Sequence, residues 1–231
     1  MTQPISATSA QPAFIAVNKL TKRFGQMVAV DAVDLHLAKG ETLAIIGPSA
    51  AGKSVLMKCL VGIYGADGGS IYLDGDDVSQ PSASMRPAWA SRIGMLFQQN
   101  ALFDSLKVWE NICFRQIELG TMNRADAKEH AIHLLGLVGL ATESADLTPN
   151  DLSGGMQKRV GIARAISTNP DILLLDNPTA GLDPVLSTHI ELMIAKSAQQ
   201  QGTTVISITN DMHIARTRYQ NLMMMHEGKA Y

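Results

Sequence analysis

Gly47-Pro48-Ser49-Ala50-Ala51-Gly52-Lys53-Ser54 carries residue types at a spacing that can hold a polyphosphate. The stretch fits the pattern G-x-x-x-x-G-K-[ST]. Backbone N–H groups of such a loop, with the positive end of the helix that follows, surround phosphate oxygens. Lys53 can reach the β- and γ-phosphates and Ser54 can ligate Mg²⁺. The flanks agree with this chemistry. Residues 41–46 are a short apolar run with β-branched residues, which predicts a buried strand, and residues 55–61 carry helix formers up to Gly62. The competing reading, a glycine-containing turn that matches by chance, lacks that strand-loop-helix context. A second feature is Asp176, which ends the apolar run Ile172-Leu-Leu-Leu175. Mg²⁺ prefers oxygen ligands, so a carboxylate at a strand end suits it. Taken alone, Asp176 is equally a cap or turn residue.

These groups need a scaffold, and the chain is long enough to supply one. Its 231 residues, 46% hydrophobic, allow one large α/β domain or a domain with a subdomain. A net charge of −2 gives no nucleic-acid footprint. No apolar run approaches the ~20 residues that span a bilayer. Residues 1–13 have no Lys or Arg and no apolar centre, which predicts a disordered tail rather than a signal peptide. Cys59 and Cys113 have no metal-ligand spacing, consistent with a reducing, cytoplasmic compartment. Strands are predicted at 14–20, 33–37, 41–46, 70–73, 93–97, 171–176, 204–208 and 221–225, with a turn at 21–25. Helical spacing covers 108–119, 123–140, 154–167 and 185–201. Strands alternating with helices predict a mostly parallel sheet.

Leu152-Ser153-Gly154-Gly155-Met156-Gln157 then narrows the choice. It resembles the signature motif of ATP-binding-cassette (ABC) ATPases, and the resemblance covers roughly residues 14–229. It implies a P-loop NTPase fold of ABC type: an ATP-binding domain at 14–231 with a mostly parallel sheet core, a small antiparallel β portion and a helical subdomain at about 99–168. It also implies ATP and Mg²⁺ as cofactors. Phe24 matches the aromatic that stacks on adenine, Gln98 the residue linking Mg²⁺ to the transporter-facing subdomain, and Gly181-Leu-Asp183 the loop that crosses to a second subunit. Ser153, Gly154 and Gly155 match the residues that cap the γ-phosphate held by the other subunit. Two cassettes, as a homodimer or with a paralogue, would pair head to tail. Residues 95–98, 101–105, 108–111 and 153–159 resemble more narrowly the cassettes of MCE-associated (Mla-type) phospholipid transporters. That implies an integral membrane permease, an MCE-domain lipid-binding protein, and a peripheral position on the cytoplasmic face of the bacterial inner membrane. Leu102, Phe103, Leu106, Trp109 and Ile112 are either subdomain core or a groove for the permease.

Three positions depart from the family pattern. Asn177 stands where the family has a glutamate that acts as general base, and an amide orients water without accepting its proton. Asn210 stands where the family has a switch histidine, and it cannot become charged. Ala50 replaces the middle glycine of the loop, which is neutral unless the position needs φ > 0. The catalytic set is then Lys53, Asn177, Asn210 and Gln98, with Ser54, Gln98 and Asp176 at the metal. Three readings stand: a slow ATPase, a regulatory cassette that binds ATP and hardly hydrolyses it, and an engineered trap mutant. Soluble ABC proteins of translation or DNA repair fit less well, because they resemble tandem cassettes or cassettes split by coiled coils. Related cassettes also continue past Lys229 with a helical tail; either the protein lacks it or the chain was cut.

Overall fold

The computed structural model describes residues 13–80, 89–99 and 101–231. The tail predicted at 1–13 therefore lies outside the described residues except for Ala13. In chain order the elements are strands β1 (Ile15–Phe24), β2 (Met27–Leu37) and β3 (Thr42–Ile46), helix α1 (Lys53–Leu60), then β4 (Gly68–Leu73), β5 (Asp76–Asp77) and β6 (Ile93–Leu96). Helices α2 (Val108–Ile112), α3 (Phe114–Glu118), α4 (Arg124–Leu137) and α5 (Gly154–Ile166) come next. The chain closes with β7 (Ile172–Asp176), α6 (Pro184–Gln201), β8 (Thr204–Ile208), α7 (Met212–Arg218), β9 (Asn221–His226) and β10 (Lys229–Ala230).

The strands form two sheets. An antiparallel sheet has the order β2-β1-β4-β5, and a second sheet has the order β10-β9-β3-β8-β7-β6. In the second sheet every pairing is parallel except that of β10 with β9. The α/β class with a small antiparallel portion is thus the observed fold.

Period-two alternation along the central strands divides the core. Leu43, Ile45, Ile172, Leu174, Ile206 and Ile208 face a cluster with Leu56, Met57 and Leu60 of α1 and residues of β1 and β2. Ala44, Ile46, Leu173, Leu175 and Val205 face the opposite cluster, which holds α2, α4, α5 and α6. One sheet therefore carries the loop-bearing helix on one face and the helical stretch on the other.

Several local expectations are corrected. The turn predicted at 21–25 is strand up to Phe24, which pairs with Met27; the chain reverses only at Gly25, in the left-handed region at φ 59°. The helical spacing at 108–119 is broken at Cys113, where φ is −101° and ψ 15°, so two short helices replace one. The last strand is not β9, because Gly228 at φ 79° turns the chain into β10. Of the apolar set at 102–112, Trp109 and Ile112 are core, whereas Phe103 stays 44% exposed and stacks on Phe114. In β9, Met223 and Met225 pack in the core, and Met224 is exposed.

Gly94 joins the two halves. A Cβ there would overlap the carbonyl oxygen of Ala165 near the end of α5, and it would also press on Pro170. Gly94→Ala should therefore destabilise the fold by about 3 kcal/mol, because both neighbours are backbone or ring atoms that cannot move aside. Urea unfolding measures this, and a loss within error of zero would mean that α5 does not sit so close to β6.

Candidate functional site

β3 ends at the loop and α1 begins on its last residues, so the loop is held at both ends. Gly47 has φ 142° and Gly52 φ 98°. Side chains at these positions would meet the carbonyl oxygens of Met225 and Ala29 respectively. The two glycines thus let the loop run between β9 and β2. The Gly228 N–H donates to Ala51 O at 3.1 Å and closes that contact. Pro48, Ser49 and Ala50 form the exposed tip, while Ala51 and Gly52 are buried. Gly52 caps α1 without a side-chain hydrogen bond, so no side chain competes for the first-turn amides.

Lys53 Nζ donates to Gly47 O at 2.6 Å and Pro48 O at 2.7 Å. The ammonium is thereby parked along the loop that an anion would enter. Burial holds its pKa below the usual lysine range, and the nearby Asp176 carboxylate opposes that shift. Ser54 Oγ donates to Asp176 Oδ2 at 2.7 Å. Asp176 is only 4% exposed, and its other oxygen accepts from Asn177 Nδ2 at 3.0 Å. A hydroxyl oxygen and a carboxylate oxygen therefore converge beside the loop. Such a hard-oxygen pair suits Mg²⁺, which keeps most of its waters and takes one or two protein ligands. The donor set fits Mg²⁺ with a polyphosphate.

The sheet brings the remaining candidates to the same edge in different degrees. Asn177 follows β7 in the left-handed region at φ 53°, a conformation asparagine adopts more readily than most residues. Its N–H donates to Ile208 O at 3.0 Å. Asp176 and Ile208 are register partners, so the exposed Asn210 lies two residues beyond Ile208 at the same strand ends. Gln98 is exposed in the turn after β6, whose Leu96 pairs with Leu175. Phe24 is 39% exposed and packs edge-on against Tyr64, ring centroids 5.2 Å apart. Ser153 caps α5 through its hydroxyl, which accepts from the Met156 N–H at 3.3 Å. A Cβ on Gly154 would meet open space, and one on Gly155 only Leu182, so this helix start is bare. Asp183 caps α6 by accepting from the N–H groups of Val185 and Leu186.

Lys158 went unnoticed in the sequence. Its ammonium donates to Asn177 O at 3.1 Å and to Ala180 O at 2.7 Å, and burial lowers its pKa. The helix that opens on Ser153 is thereby tied to the loop that leaves Asp176. The only available signal was a cation near the start of a helix otherwise facing inward.

Ala50 takes φ 62°, so the strained alternative for this position holds.

Residues 30–180 match the family described as ABC transporter. The "Probable ribonucleotide transport ATP-binding protein mkl" of Mycobacterium bovis is 36% identical over 225 residues, which is 96% of this chain and 62% of that protein. The "Methionine import ATP-binding protein MetN 1" of Staphylococcus epidermidis is 37% identical over 93% of this chain and 64% of its own length. The chain thus spans less than two thirds of the curated relatives it matches. Among solved structures, the ATP-binding cassette MJ0796, a dimer in a post-hydrolysis state bound to ADP and Pi, is similar with a TM-score of 0.88 and 30% identity over 93% of this chain and 95% of that one. The cbiO1 protein of Clostridium perfringens, part of the ABC transporter complex cbiONQ, gives 0.81 and 26% identity over 96% of this chain and 88% of that one.

The left-handed backbone at residue 50 makes a direct prediction. Ala50→Gly should relieve strain in the folded loop worth about 1 kcal/mol, partly offset by the extra freedom of glycine in the unfolded chain. Thermal unfolding should show no loss of stability. A clear loss would mean that the loop leaves φ > 0 in solution.

Proposed function

Since the chain belongs to the ABC transporter family of ATP-binding domains, we propose that it is the ATP-hydrolysing subunit of such a transporter. One observation carries the reading: Lys53, Ser54 and Asp176 converge beside the glycine-bounded loop. Residues 14–231 act as one ATP-binding unit with a helical subdomain at about 99–168. Loop amides and Lys53 hold the β- and γ-phosphates, Lys53 exchanging the carbonyls of Gly47 and Pro48 for phosphate oxygens. Ser54, Asp176 and Gln98 hold Mg²⁺, which when bound neutralises charge on the phosphates and the leaving oxygen. Phe24 stacks on adenine. Ser153, Gly154 and Gly155 present a bare helix start to the nucleotide of a second cassette. ATP then joins two such units head to tail, and an integral membrane permease receives the motion near Gln98 and the exposed Phe103.

The finer reading is phospholipid transport of the Mla type with an MCE-domain partner, at the cytoplasmic face of a bacterial inner membrane. It rests on the segments at 95–98, 101–105, 108–111 and 153–159. The relatives are named for ribonucleotide transport and methionine import, so the cargo is decided by assaying lipid, nucleotide and methionine transport with one reconstituted complex. Lipid-independent uptake of either small molecule would overturn the lipid reading.

A second reading, a nucleotide-sensing cassette with little hydrolysis, is favoured by Asn177. Its amide donates to Asp176 and cannot take a proton from water. In the slow-ATPase reading, Asn177 and Asn210 orient the attacking water and the γ-phosphate while Lys53 and Mg²⁺ stabilise charge.

Two measurements test the site and the role of residue 177. Lys53→Ala should lower Mg-ATP turnover by roughly 10²–10³-fold, as loss of a single preorganised donor does; unchanged nucleotide binding and turnover would remove the site from this loop. Asn177→Glu should raise turnover by about 10²-fold or more, the range a general base supplies. Equal rates for the two proteins, measured in the assembled transporter, would show that residue 177 does not limit hydrolysis.

A further inference from the structure

A buried carboxyl lies behind the two loops that carry Asn177 and Asn210. Glu191, on α6, is 2% exposed. Its Oε2 accepts from the Tyr219 hydroxyl at 3.1 Å, and its Oε1 has no hydrogen-bond partner among the described residues. The Thr179 hydroxyl faces the same carboxyl. Thr179 stands in the loop that leaves Asp176 and Asn177. Tyr219 directly follows α7, the helix whose cap Asp211 is next to Asn210. A single acid group thus touches elements attached to both loops.

The charged neighbours do not neutralise it. Arg218 of α7 attracts the carboxyl through space, Asp211 at the head of α7 repels it, and Tyr219 is itself held in the neutral form by burial and by Glu191. An ionised carboxylate at this place would be a buried charge; the Tyr219 and Thr179 hydroxyls favour it, but its loss of water outweighs them, so the neutral acid is the less costly form here. Burial accordingly raises the Glu191 pKa above the ordinary glutamate value.

We propose that Glu191 is a positioning residue: in its acid form it holds the loop after Asp176 and the segment after Asn210 in one relative placement. The role rests on the nucleotide-site reading given above. Asn177 and Asn210 carry amides that do not titrate, so the Glu191 proton gives the pair of loops a pH dependence that they lack by themselves. The direction follows from linkage. A carboxyl whose pKa is raised by folding contributes stability that is fully present below the unfolded value and is lost as pH rises through the folded one. Above that point the buried charge draws water into the packing around Glu191, although the Tyr219 and Thr179 hydroxyls favour the ionised form, because burial is the larger effect.

The test uses the full chain with Glu191→Gln, a neutral isostere, and Glu191→Leu, which removes the polar contacts. Thermal midpoints are followed against pH without nucleotide, and Mg-ATP affinity and turnover are followed with it. The Glu191→Gln midpoint should gain on the wild-type midpoint as pH rises. Wild-type turnover should fall along an alkaline limb that the Gln variant lacks, the two agreeing within about threefold at the acid end. Glu191→Leu should lower kcat by about tenfold with KM changed by less than about threefold. Midpoints that track each other at every pH, or an alkaline limb shared by wild type and Glu191→Gln, would overturn the proposal. If Glu191→Leu does not fold, the Gln variant decides alone. Wild-type protein that binds no Mg-ATP would overturn the nucleotide-site reading, and the positioning role with it, while the midpoints still report whether Glu191 is buried as the acid.

Discussion

The candidate site depends on one buried carboxylate. Asp176 sits at the end of a fully buried strand and takes a hydrogen bond on each oxygen, from Ser54 and from Asn177. Neither donor is charged. The Lys53 ammonium acts on it through space, and that attraction partly offsets the desolvation of the lysine. Two donors and a nearby cation thus take the place of the water that the buried carboxylate has lost. It also fixes α1 to β7, since Ser54 belongs to one and Asp176 to the other.

The parallel sheet makes that bond possible. Parallel strands end together, so the ends of β3, β6, β7 and β8 bring Gly47, Gln98, Asp176 and Asn210 to one edge although they lie far apart in the chain. The two faces of the sheet then do different things. One packs the loop-bearing helix against the antiparallel sheet, and the other carries several helices, among them the one that opens on Ser153. Lys158 and Glu191 tie the helices of the second face to the loops at the sheet edge. Lys158 bonds the Ser153 helix to the loop leaving Asp176, and Glu191 reaches that loop and the end of α7. Glu191 is buried, where a hydrogen bond restrains more than it would at the surface, whereas Lys158 is only partly buried.

The amide at residue 177 is locally well suited to its backbone. A left-handed φ of 53° is tolerated by asparagine, and the side chain finds a partner one residue away in Asp176. Ala50 shows the opposite case, holding φ 62° with no side-chain polar atom to compensate. Sequence departures of the same kind thus carry different physical consequences.

Much of this was legible in the residues themselves. Short-range patterns determined the loop, its strand and helix, the buried strand ending in Asp176 and the bare helix start at Ser153, because each is specified by neighbours within about ten positions. Periodicity also gave the alternation of strands and helices from which the sheet follows. The misses have one cause. The extension of β1 to Phe24, the break at Cys113 and the β9-β10 hairpin depend on pairing and packing against distant segments, which overrule local propensity. The sign of φ at Ala50, the partners of Lys158 and the burial of Glu191 are likewise invisible locally. Those were decided only when the chain closed on itself, since a strain or a desolvation exists only once other atoms have taken the place of water.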